Sequence, residues 1–117
     1  MVIEKMGGIE RIIQESVPGK QITLAHMIAA PIQSVYQSLG VEESGAIGIL
    51  ALTPYETAII AADIAGKAAQ VDICFVDRFT GSVMFSGDVQ SVQTALQSIL
   101  NYFEDQLDFT VVKVTRS

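Results

Sequence analysis

The sequence predicts an α/β sandwich in which helices cover a mixed β-sheet. Short apolar runs alternate with segments of helical period, and no low-complexity stretch or long linker interrupts them. The chain has 117 residues, 50% of them hydrophobic, which suffices for one domain with a single core. This length excludes a multidomain enzyme.

The first strand and the first helix are predicted before residue 40. The β-rich run at residues 22–28 is followed by Pro31, which suits the first turn of a helix. Four apolar residues then recur at helical spacing: Ile32, Val35, Tyr36 and Leu39. Gly40 is a typical stop signal. We therefore predict a strand at 22–28 and a short amphipathic helix at 31–39.

The middle of the chain predicts a buried strand and a capped helix. Residues 46–52 are an almost unbroken apolar run, which is typical of a strand buried on both faces at the centre of a sheet. Thr53, Pro54 and Glu56 follow in the order of a capping box with proline at the first helical position. We expect this helix to run to about Ala69.

A hairpin is predicted next. Residues 71–79 alternate well enough for a strand, and Thr80 and Gly81 form a turn before a second strand at 83–86. The two strands should be antiparallel.

The last predicted elements are a long helix and a strand. Asp88 is placed to cap a helix whose apolar positions keep a 3.6-residue period. Those positions are Val89, Val92, Leu96, Ile99, Leu100 and Phe103. Residues 107–114 are rich in β-branched side chains and predict a final strand. Residues 9–17 fit neither a helical nor a strand period.

Charge and composition exclude several classes of partner. With 13 acidic and 7 basic side chains the chain carries a formal charge of −6, which disfavours nucleic acid and anionic lipid. Residues 21–41 lack charge but are too polar to span a membrane. Charged residues make up 17% of the chain against about 25% in an average globular protein. A surface so poor in charge predicts an oligomer.

No catalytic or metal site is predicted. His26 is the only histidine, and a residue of this kind on a strand is usually packed or at an interface. One histidine and one cysteine fall short of the ligands that a zinc site needs. Cys74 is interpreted as a core thiol in a protein of the reducing cytosol. We expect no cofactor.

Several segments, in this order and spacing, resemble one known family. They are residues 13–28 (IQESVPGKQITLAHMI), 45–49 (GAIGI), 52–54 (LTP), 75–81 (FVDRFTG), 87–89 (GDV) and 114–117 (VTRS). From Glu10 onward the chain resembles the circularly permuted bacterial microcompartment (BMC) shell proteins, the EutS and PduU group and its choline-utilisation relatives. Together these motifs are specific, although each alone is weak.

The resemblance implies a structural protein and no enzyme. The domain would form homo-hexameric tiles that join other shell proteins, enclose metabolic enzymes in the bacterial cytoplasm and restrict diffusion. The compartment would serve ethanolamine, propanediol or choline utilisation, or a glycyl-radical system. Permutation would place the strand at 22–28 and the helix at 31–39 before the rest of the domain. The implied division is an extension at 1–20 and a permuted BMC domain at 21–117.

The resemblance also implies three sets of site residues. Lys67, within residues 62–69, and His26 are expected at the tile edge; the alternative for Lys67 is an ordinary solvated lysine. The pore loop would consist of Phe79, Thr80, Gly81 and Ser82, which could equally be a plain turn. The extension would form a central β-barrel that caps the pore, with Ile9, Arg11, Ile13, Glu15 and Val17 in it.

A rival hypothesis remains at this stage. Compact α/β sandwiches of this size also serve as cytosolic oligomeric regulators that bind small ligands at subunit interfaces.

Overall fold

The computed structural model describes residues 19–117, which contain five strands and three α-helices. In chain order the elements are β1 (Gln21–Ala29), α1 (Gln33–Leu39), β2 (Ala46–Thr53), α2 (Ala58–Ala68), β3 (Asp72–Asp77), β4 (Ser82–Gly87), α3 (Val89–Leu107) and β5 (Thr115–Arg116). A 3₁₀ turn, Tyr55–Thr57, precedes α2.

The strands form one mixed sheet in the order β3-β4-β2-β1-β5. Neighbouring strands are antiparallel except β5, which runs parallel to β1. β2 lies at the centre, and Ile47 and Leu50, whose side chains point to opposite faces, are both fully buried. The prediction of a central, doubly buried strand in a mixed sheet is confirmed.

Helices cover both faces of this sheet. α2 and α3 pack on one face, where Phe85 of β4 and Phe103 of α3 are fully buried. α1 covers part of the other face, where Tyr36 contacts a smaller cluster with Ile47 and Met84. The predicted α/β sandwich is confirmed, with most of the core on the side of α2 and α3.

Three local predictions hold. The Asp88 carboxylate accepts a hydrogen bond from the Ser91 amide at 2.8 Å and caps α3. Gly40 ends α1 in the left-handed conformation, with φ of 72°. β3 and β4 form the expected antiparallel hairpin.

The predicted capping box at Thr53 is wrong. Thr53 is still paired with Gln21 in the sheet, and its hydroxyl donates to the carbonyl of Gly19 instead of accepting from a helical amide. A 3₁₀ turn intervenes, in which the Thr57 hydroxyl donates to the Pro54 carbonyl at 2.6 Å. α2 therefore starts only at Ala58.

The predicted strand at 107–114 is also wrong. Leu107 still belongs to α3, and Asp108 closes the helix in the left-handed conformation, with φ of 60°. The following segment touches the sheet through an isolated bridge from Thr110 to Gln21 and joins it only at β5. The segment hydrogen-bonds to β1 only near its two ends, at Thr110 and at residues 115–117, and residues 111–114 between them are not assigned to a strand. β-branched residues favour a strand only where the pairing with a neighbouring strand is continuous.

Candidate functional site

The loop between β3 and β4 is held by hydrogen bonds from its own residues. The Asp77 carboxylate accepts from the amides of Phe79, at 2.9 Å, and Thr80, at 3.3 Å. The Gly81 amide donates to the Asp77 carbonyl at 2.9 Å. Hydrogen bonds from the Thr80 side chain and the Phe79 amide lower the pKa of Asp77 below its ordinary value.

Gly81 presses the loop against the end of β2. Its φ is 74°, and its carbonyl accepts from the Leu52 amide at 2.9 Å. A β-carbon at this position would overlap the Leu52 carbonyl oxygen and lie 2.9 Å from Cδ1 of Tyr55. Only glycine fits both the conformation and the contact.

The tip of the loop presents an aromatic ring to solvent. Phe79 is 74% exposed, and the guanidinium carbon of Arg78 lies 4.9 Å from its ring centroid. The hydroxyls of Thr80 and Ser82 are 3.2 Å apart. The structure therefore brings together, at one end of the sheet, the four residues predicted for the pore loop: Phe79, Thr80, Gly81 and Ser82. Whether they line a pore stays a prediction.

Lys67 stands on the outside of α2. Its Nζ lies 2.7 Å from Oδ2 of Asp63, one helical turn earlier, and both side chains are exposed. The hydrogen bond and the negative charge of Asp63 raise the pKa of Lys67 above its ordinary value. Ile60, Ile64 and Tyr102 line an open groove beside this pair. Lys67 is therefore a permanently charged group on an otherwise largely apolar patch.

His26 is engaged with the last residues of the chain. Its Nδ1 lies 2.6 Å from the Thr115 hydroxyl and its Nε2 lies 2.8 Å from the Ser117 hydroxyl. The neighbours Ala25 and Met27 point into the main core, so alternation directs the His26 ring to the opposite face of the sheet from Lys67. The structure thus separates the two residues predicted for the tile edge.

The remaining predictions concern the barrel, membrane spans and metal sites. The five residues predicted for the barrel, from Ile9 to Val17, lie outside the described residues. None of the helices within residues 19–117 combines the length and the apolar character needed to span a membrane. Over the same range no three His, Cys, Asp or Glu side chains gather into a group that would hold a metal ion.

The chain is similar to known proteins in both sequence and fold. Residues 46–115 match the model of the BMC domain. The chain is 71% identical over 116 residues to the bacterial microcompartment shell protein CutR of Streptococcus intermedius, covering 99% of this chain and 100% of CutR. It is 51% identical over 108 residues to the shell protein EutS of Salmonella typhimurium, covering 92% of this chain and 97% of EutS.

A third shell protein and a solved hexamer structure are also similar to this chain. The shell protein PduU of Salmonella typhimurium is 46% identical over 116 residues, covering 98% of this chain and 100% of PduU. The structure of a CutR flat hexamer superimposes with a TM-score of 0.83 and 71% identity, covering 95% of each chain. The chain therefore belongs to the BMC-domain family of bacterial microcompartment shell proteins.

Proposed function

We propose that this chain is a structural tile, without enzymatic activity, in the shell of a microcompartment in the bacterial cytoplasm. Six copies form the tile, and tiles join one another and other shell proteins to enclose enzymes and restrict diffusion. The observation that carries the proposal is the 71% identity to CutR over nearly the whole of both chains, together with the superposition on its flat hexamer. No observation favours the rival hypothesis of a ligand-binding regulator.

The domain is circularly permuted in this proposal. The family match begins at residue 46, yet β1 and α1 precede it and are built into the same domain. β1 pairs with β2 along its length, and α1 packs on the sheet through Tyr36. The permuted BMC domain then spans residues 21–117, and residues 1–20 form the extension.

The extension caps the central opening as a β-barrel shared by six copies. The position of Gly19, the first described residue, supports this proposal. Its carbonyl accepts a hydrogen bond from the Thr53 hydroxyl at the end of β2. The loop that carries Phe79 is fixed to the same end, through the hydrogen bond between Leu52 and Gly81. Gly19, near the point where the extension joins the domain, therefore lies at the same end of β2 as the proposed pore loop, where a cap would have to form.

Deletion of residues 1–17 is expected to leave a folded domain with an open centre. The core clusters of residues 19–117 consist of residues from β1 onward, all of which remain in the truncated chain. Circular dichroism should show a cooperative melt, and class averages of negatively stained particles should lose central density relative to the full chain. Complete unfolding of the truncated chain would contradict an accessory role for the extension.

Lys67 is expected to join tiles to one another. It is exposed and charged, and the small side chains of α2, among them Ala68, let another surface approach closely. Lys67→Ala should leave single tiles intact but abolish extended sheets in electron micrographs. The thermal midpoint should hardly change, because an exposed ion pair contributes little to stability.

Asp63→Asn is the matched control for Lys67→Ala. It removes the same ion pair but keeps the lysine, so sheets should persist. If both variants lose sheets alike, the ion pair and not the lysine makes the edge contact. Sheets that persist in Lys67→Ala would remove Lys67 from the edge.

A further inference from the structure

Two apolar side chains on the sheet, Leu24 and Ala51, lack a full cover. They lie opposite each other on β1 and β2. The residue after Leu24 and the residue before Ala51 belong to the main core, so both side chains point to the face that carries α1. α1 covers the other end of that face, around Ile47. Leu24 is 40% exposed within residues 19–117, and we call Leu24 and Ala51 the open patch.

The described chain begins on the same face as the open patch. Thr53 lies two residues after Ala51 on β2, so alternation points its side chain to that face as well. The Thr53 hydroxyl donates a hydrogen bond to the Gly19 carbonyl. Gly19 is therefore on the face that carries the open patch.

The chain is expected to reverse its direction at Gly19. Residues 17–20 read Val-Pro-Gly-Lys, with proline and glycine at the two central positions of a β-turn. This order is typical of a type II turn, which needs a positive φ at its third residue, and Gly19 has a φ of 85°. The first and fourth Cα atoms of such a turn lie less than about 7 Å apart. Val17 is therefore expected beside Lys20, and the chain before it runs back over the domain.

Three of the four sides of β1 are occupied where this strand begins. β2 pairs with one edge, through Thr53 and Gln21. At the other edge the Ile22 amide donates to the Thr110 carbonyl at 2.9 Å. On the side of the main core Ile22 is fully buried. The remaining side is the face with the open patch, and a valine side chain is apolar and of a suitable size to cover it.

We propose that the chain reverses at Pro18 and Gly19 and that Val17 packs on the open patch of its own chain. The inference rests on the proposed cap and names the surface on which the extension packs. Because each extension would then leave its domain in a fixed direction, six of them could meet in one barrel.

Thiol labelling measures whether the open patch is covered. In a full chain with Cys74→Ser, Leu24→Cys is the reporter, and Leu39→Cys is the matched control because Leu39 is 43% exposed on α1. Two leucines of nearly equal exposure should give thiols of similar reactivity unless something else covers one of them. We expect Leu24→Cys to react with a maleimide about tenfold more slowly or less, because labelling requires the extension to open. Equal rates would overturn the inference.

A second substitution identifies what covers the open patch. Val17→Asp places a carboxylate in the apolar contact and should raise the labelling rate of Leu24→Cys to that of Leu39→Cys. Val2→Asp makes the same change at the far end of the extension and should leave the rate low. A rate that stays low with Val17→Asp would overturn the inference, because another copy would then cover the patch. A rate that rises equally with Val2→Asp would also overturn it, because the contact would not depend on Val17.

Particle mass separates this inference from the proposed function. If the unsubstituted chain forms a hexamer with central density while Leu24→Cys is unprotected, the inference fails and the proposed cap stands. If the unsubstituted chain forms no hexamer, the proposed function itself fails, whatever the labelling rates. Ala51→Cys is a second reporter on the same patch, read in the same way if Leu24→Cys loses its cooperative melt.

Discussion

Replacing Gly81 with alanine is expected to destabilise the domain by about 3 kcal/mol. The left-handed conformation costs a residue other than glycine about 1–2 kcal/mol, and forcing an atom into a filled space costs typically 1–3 kcal/mol. The added carbon would meet the Leu52 carbonyl, which is part of the central strand and has little room to move. Urea denaturation followed by circular dichroism measures the change.

Gly66→Ala is the matched control for this substitution. Gly66 lies within α2, and a β-carbon there would meet nothing within 4 Å. Alanine is favoured over glycine inside a helix by up to about 1 kcal/mol, so this variant should be slightly more stable. A Gly81→Ala protein as stable as Gly66→Ala would show that the loop does not press on β2 as described.

Phe103→Ala is expected to cost about 3–5 kcal/mol, the range measured for large-to-small changes at buried aromatic positions. Phe103 is fully buried on α3, and its ring packs edge-on against Phe109 with centroids 4.8 Å apart. Its loss should also loosen the segment after α3, because the ring of Phe109 loses its edge-on partner. Denaturation and amide exchange at Thr110 measure the two effects.

The neighbouring position supplies the control. Tyr102 precedes Phe103 on the same helix but is exposed, so Tyr102→Ala should change stability by about 0.5 kcal/mol or less. Equal losses in the two variants would contradict the assignment of Phe103 to the core.

The sequence predicted those elements whose signals are local. The 3.6-residue period and the Asp88 cap lie within α3 itself, and the apolar run of β2 needs no knowledge of its neighbours. The final strand was mispredicted because its pairing is not local: β5 lies beside His26 and Met27, at the other end of the chain. The capping box failed for a similar reason, since Gln21 keeps Thr53 in the sheet.

For the candidate site as well, local features were predicted and contacts with distant residues were missed. The turn residues of the proposed pore loop were found from sequence, but the role of Asp77 was missed, although an aspartate that accepts from amides two residues later is a known turn signal. The hydroxyl partners of His26, Thr115 and Ser117, had no signal within one sequence. Contacts between copies also leave no signal in a single sequence, because they join residues that belong to different chains.

The number of chains in the particle tests the central claim most directly. Native mass spectrometry of the full chain at low micromolar concentration should give six times the 12.6 kDa chain mass, and electron micrographs of the same sample should show flat six-fold particles. A monomer that persists as the concentration is raised would contradict the account, because a tile cannot be made of chains that do not associate.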